Sequence, residues 1–93
     1  MQMAMGLIIQ RAWTREQYDE AMSTLEAAGH GAPKGRLYHM AGQGSDGWRI
    51  VELWETQEDQ ENFRKVAVPI FAELNLPGPP QRDIVSVHNV VRQ

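Results

Sequence analysis

Three histidines, His30, His39 and His88, are the only imidazoles in the chain, and it has no cysteine. Thiolate catalysis, disulfides and Cys-ligated metal centres are therefore excluded. An imidazole titrates near neutrality, which suits it to general acid or base work. His39 and His88 each stand inside an otherwise apolar stretch that reads as a strand, so both are candidate catalytic residues. The alternative for each is a histidine satisfied within the core or at a sheet edge. His30 falls in a Gly-rich loop and is expected to be solvated. The three histidines with Glu52 match no local metal spacing such as two His one helical turn apart, so no metal site is expected. Glu52, between Val51 and Leu53, is read as an exposed strand-edge carboxylate. Trp54, Tyr38, Trp48, Phe63 and Phe71 are candidates to line a cavity for a flat, apolar ligand, with plain core packing as the competing account.

These residues need elements to position them, and apolar periodicity supplies six. Residues Met3 to Ala12 read as a strand centred on Leu7, Ile8 and Ile9. Thr14-Arg15-Glu16-Gln17 fits a capping box, and the helix after it carries Tyr18, Met22, Leu25 and Ala28 on one face and ends at Gly29. Arg36 to Ala41 and Trp48 to Trp54 read as strands joined by the turn Gly42 to Gly47, which makes them an antiparallel hairpin. That turn joins two strands and lacks a Gly-Lys-Ser/Thr ending, so it is no phosphate loop. Thr56 opens a second helix, Gln57 to Asn75, in which Pro69 predicts a kink or break. Leu76 to Pro80 is loop, and Arg82 to Val91 is the last strand.

The chain's 93 residues allow one domain, residues 1–93, of α+β class in β-α-β-β-α-β order. The expected architecture is a four-stranded antiparallel sheet with two helices on one face. Both faces of the strands carry large apolar groups, for example Trp48 and Ile50 against Val51 and Leu53. Two helices cover only one face, so the other is expected to pair with a second copy of the chain. A net charge of −3 with no basic run argues against a nucleic-acid partner. The short apolar start, without a basic lead, predicts no signal peptide and no membrane anchor, and a cysteine-free chain points to the cytoplasm.

The segment Gly47-Trp48-Arg49-Ile50-Val51-Glu52-Leu53-Trp54-Glu55-Thr56, followed by Glu58-Asp59-Gln60-Glu61-Asn62-Phe63 and closed by Val87-His88-Asn89-Val90-Val91, resembles small proteins of the dimeric α/β-barrel superfamily. That superfamily includes antibiotic-biosynthesis-monooxygenase-like proteins, heme-degrading monooxygenases and polyketide cyclases. The resemblance implies a homodimeric barrel, and for function a cofactor-free monooxygenation or cyclisation of an aromatic or polyketide-like small molecule. Heme-degrading members present a helical His to iron, whereas Gln57 to Asn75 contains none, so no heme and no other cofactor is expected. Two alternatives remain open: a module that binds a ligand without turning it over, and a structural dimer with a filled core.

Overall fold

The computed structural model describes residues 4–92. Six elements follow one another: β1 (Met5–Arg11), α1 (Arg15–Ala27), β2 (Arg36–Gly44), β3 (Gly47–Trp54), α2 (Gln57–Glu73) and β4 (Gln81–Ser86). The strands form one antiparallel sheet in the order β2-β3-β1-β4. Met3, the first residue of the expected strand, lies outside the described residues.

Alternation sorts the sheet into two faces. Met5, Leu7 and Ile9 of β1 and Trp48, Ile50 and Trp54 of β3 are buried, and they pack with Trp13 and with Ala21 of α1. Ala67 of α2 is buried as well. The helices therefore cover this face. On the other face Ile8, Tyr38, Met40 and Val85 remain exposed.

Both helices begin and end by local chemistry. Thr14 accepts from the Gln17 amide and the Gln17 side chain accepts from the Thr14 amide, so the capping box is complete. Thr56 caps α2 by accepting from the Asp59 amide. Each helix closes with paired reverse bonds: His30 N–H to Leu25 O and Gly29 N–H to Glu26 O in α1, Leu76 N–H to Phe71 O and Asn75 N–H to Ala72 O in α2. The left-handed residue is Gly29 (φ 86°) in the first case and Asn75 (φ 56°) in the second.

Three expectations need correction, and β2 adds a feature that its sequence did not announce. Helix α2 runs unbroken through Pro69 and reaches Glu73. The carbonyl that Pro69 leaves without a donor belongs to Lys65, and both residues are exposed, so that carbonyl need not be satisfied by the protein. The β2–β3 hairpin is longer and its turn tighter: Gly44 pairs with Gly47, leaving only Ser45 and Asp46 between them. Strand β2 carries a bulge between Arg36 and Tyr38, so Leu37 drops out of the register and the alternation shifts by one there. Strand β4 stops at Ser86 rather than Val91. Ser86 pairs with Met5, at the start of β1, and the last bond along this edge runs from Val87 N–H to Ala4 O.

Candidate active site

The bulge in β2 decides what faces the helices. Arg36 pairs with Trp54, His39 with Glu52 and Ala41 with Ile50, so Arg36 and His39, three residues apart, share the covered face. An unbroken strand would have put them on opposite sides. His39 and Glu52 are direct cross-strand partners, and their side chains meet at 2.6 Å between Nδ1 and Oε2. Glu52 is 6% exposed. A carboxylate so buried must be compensated. Its Oε1 accepts from Trp54 Nε1 at 3.0 Å, and Arg36 lies 3.6 Å from Oε2. The reading of Glu52 as an exposed edge residue is thereby corrected: it sits on the same inward face as Ile50 and Trp54.

On the other side of the imidazole, Tyr18 of α1 places its hydroxyl 2.6 Å from His39 Nε2. A carboxylate only accepts, so Nδ1–H donates to Glu52, and in that tautomer Nε2 accepts from the Tyr18 hydroxyl. Burial, reinforced by Glu52 and Asp19 against the opposing pull of Arg36, pushes the Tyr18 phenol above its ordinary pKa. The phenol is therefore protonated and donates at neutral pH. The Tyr18 ring lies nearly parallel to His39 (15°, centroids 6.0 Å apart) and packs on Trp48. The result is a chain of hydrogen bonds from Tyr18 through His39 to Glu52, with the carboxylate fixing the tautomer and orientation of the ring.

His39 and Glu52 form part of the wall of a cavity of about 330 Å³, within the range of small-molecule sites. The sheet contributes Ile9, Arg11 and Ile50; α2 contributes Phe63, Val68 and Phe71; the segment 76–80 borders one side. That segment is tied down by Trp13, whose Nε1 donates to Pro77 O at 2.8 Å and whose ring meets Phe71 edge-on at 5.1 Å. At the β1–β4 side, Arg82 donates to Gln60 Oε1 at 3.1 Å.

The candidates from sequence fall in different places. His39, Phe63 and Phe71 line the cavity. Trp54 is wholly buried and Trp48 nearly so; they pack in the core and neither lines the cavity. Tyr38 lies on the opposite face, 57% exposed, because it is adjacent to His39 and alternation turns it away. His88 is exposed and lies beyond the end of β4, so the two candidate catalytic histidines are not brought together. Residues the sequence reading passed over as chemistry are Arg11, Arg36, Tyr18, Gln60 and Arg82. Tyr18 was visible only as one of the apolar face of its helix. Arg36 needed the bulge, which no pattern in β2 announces.

No family model matches the chain, and no curated protein is significantly similar to it. Solved structures are similar in fold. Rv0793 from Mycobacterium tuberculosis superposes with a TM-score of 0.70 at 11% identity, over 96% of this chain and 99% of that one. A proposed antibiotic biosynthesis monooxygenase from Caulobacter crescentus gives 0.67 at 12% identity, over 95% and 92%. SnoaB from Streptomyces nogalater, a cofactor-independent oxygenase solved as a point variant, gives 0.64 at 9% identity over the full length of both chains. The chain thus has the ferredoxin-like fold of antibiotic-biosynthesis-monooxygenase-like proteins. At such identities the likeness concerns the fold and carries no reaction with it.

Proposed function

We propose that the chain, as a single domain of residues 1–93, is a cofactor-independent enzyme that removes a proton from an aromatic or polyketide-like small molecule held in the cavity. The observation that carries this reading is the Tyr18–His39–Glu52 chain, whose His39 and Glu52 line the cavity. Glu52 holds Nδ1–H, which leaves Nε2 as the basic nitrogen. A proton from an activated carbon reaches Nε2 once Tyr18 turns aside. For oxygenation, the resulting carbanion adds dioxygen as co-substrate; the peroxide then collapses, so that a CH2 group and O2 become C=O and H2O. For cyclisation, the same carbanion attacks a carbonyl of its own chain. The aromatic walls from Phe63 and Phe71 exclude water and stack on a flat substrate.

The test uses flat carbon acids as probes. With 2-tetralone or anthrone in deuterated buffer without oxygen, the protein is expected to catalyse exchange of the acidic C–H, followed by NMR. His39→Ala is expected to lower that rate about a hundredfold or more, the usual worth of a general base. Exchange unchanged in His39→Ala rules out histidine catalysis. A second reading, binding without turnover, draws support from the Tyr18 hydroxyl already occupying Nε2; it is favoured if the probes bind but do not exchange.

We further propose that two copies pair through the uncovered sheet face. Exposed Ile8, Tyr38, Met40 and Val85 lie there, beside half-buried Val51 and Leu53. A second copy of the same face closes such a patch without leaving another open. Light scattering after gel filtration is expected to give the mass of a dimer, and Met40→Glu to give a monomer. A wild-type monomer at micromolar concentration would remove this part of the proposal.

A further inference from the structure

The cavity's charge is opposite to that of the chain. The protein carries a net −3, yet the residues lining the cavity include Arg11, Arg36, Arg64 and Arg82 against one carboxylate, Glu52. Three of these cations already have acidic partners. Arg36 faces Glu52 at 3.6 Å, and Arg64 and Arg82 face Glu61 at 3.6 and 3.8 Å. Arg11 has none: among the described residues no ion pair or side-chain hydrogen bond reaches it. Its Nε is buried and unbonded.

Such a guanidinium needs explaining, because a buried donor without a partner costs free energy. Its Cζ lies over two rings, 4.2 Å from the centre of Trp13 and 5.2 Å from that of Phe71. Register places it beside Arg82: Ile9 pairs with Arg82, and Arg11 is the next residue of β1 on the same face. Loss of hydration, to which Arg82 adds and which Glu52 only partly offsets, brings the Arg11 pKa down to about 10. It is still a cation at neutral pH, desolvated and unpaired, at the wall of a cavity that can hold a ligand.

We infer that the cavity takes an organic monoanion, an aromatic or conjugated carboxylic acid, whose carboxylate pairs with Arg11 while its rings lie along Phe71 and Phe63 toward His39. A carboxylate matches the guanidinium fork and accepts two of its N–H groups at once. One unpaired cation balances one negative charge, which favours a carboxylate over a phosphate dianion. The inference rests on the proposal above that this cavity is the ligand site, and it names the class of ligand.

Binding of matched probes to the wild-type protein tests it, followed by isothermal titration and by the fluorescence of tryptophan, since Trp13 touches Arg11. The probes are 2-naphthoic acid, its neutral amide 2-naphthamide, and 2-naphthyl phosphate. The acid is expected to bind about tenfold or more tightly than the amide, in line with a charge-assisted hydrogen bond. Arg11→Met, which keeps an apolar body between the two rings, is expected to remove that preference; Arg11→Lys is expected to keep part of it. Equal binding of acid and amide, no binding of either, or tightest binding of the phosphate overturns the assignment, and none of these needs the variants to fold. The enzymatic reading fails separately. A preferred acid with no His39-dependent exchange leaves the ligand class standing; exchange on neutral probes without preference for acids does the reverse.

Discussion

The Glu52 carboxylate has two oxygens and two buried N–H donors to satisfy, which makes Glu52→Gln a sharp test of the hydrogen-bond chain. Oε2 accepts from His39 Nδ1 and Oε1 from Trp54 Nε1. An amide of the same shape has one oxygen and one NH2. With its oxygen on His39 it strands the Trp54 N–H; turned the other way it presents N–H to His39 Nδ1, and that bond survives only if the ring moves its proton to Nε2 and reverses the bond to Tyr18. Trp54 is 0% exposed, so water cannot replace the lost acceptor there. One stranded buried donor costs about 1–3 kcal/mol, and the surviving bond weakens because its acceptor is no longer charged. Arg36, with a side chain 16% exposed, also loses its counter-ion. Together these put the loss at about 3 kcal/mol, which for a domain of this size lowers Tm by roughly 15 °C. Urea titration followed by far-UV circular dichroism, at one fixed protein concentration, measures it. The decisive arm is a cycle with Trp54→Phe. Without the indole N–H, the amide can give its oxygen wholly to His39, so the cost of Glu52→Gln is expected to shrink by about 1 kcal/mol or more in that background, a coupling normal for groups sharing a partner. A cost below about 1 kcal/mol, or strict additivity of the two substitutions, would refute the arrangement of donors described above.

The raised Tyr18 pKa fixes a sign at alkaline pH. The unfolded chain gives up this phenolic proton near pH 10, before the folded protein does. The stability it contributes is therefore complete below that pH and is lost as pH rises toward the folded value. Denaturation midpoints above pH 10 are expected to fall more steeply for the wild type than for Tyr18→Phe; parallel curves would contradict this. At neutral pH, Tyr18→Phe is expected to cost about 1 kcal/mol for the bond to His39, read from the same urea curves. Trp13→Phe removes the bond to Pro77 O, and hydrogen exchange is expected to show faster opening of Leu76 and Gly78 with little change in β1. Asn75→Gly is expected to raise stability by a few tenths of a kcal/mol up to about 1, because glycine adopts positive φ without strain. A fall in the denaturation midpoint would show that the Asn75 side chain contributes more than its backbone.

The parts of this protein that could be read from its sequence are those governed by local rules. Thr14 with Gln17, Gly29 and Thr56 mark helix ends because capping chemistry is settled within four residues. The alternation of Trp48, Ile50, Glu52 and Trp54 gave the covered face of β3 as soon as its tryptophans were taken as core. That same alternation put Glu52 inside, and the exposed-edge reading went wrong by weighing the residue type above the pattern around it. The site itself depends on non-local facts. A one-residue bulge at Leu37 moves Arg36 to His39's side, and nothing in Arg36-Leu37-Tyr38-His39 distinguishes that register from an unbroken strand. The end of β4 follows from where β1 begins rather than from the Val-rich run that suggested a longer strand, and it leaves His88 outside the sheet. Arg11 stands at the end of an apolar strand, where a cation ordinarily reaches solvent. Only the convergence of Trp13, Phe71 and Arg82 around it turns an ordinary strand-end residue into an unpaired charge facing a cavity. The fold comes from patterns of residue type and the site from register, so the fold is shared with structures about 10% identical, and that likeness carries no site residue with it.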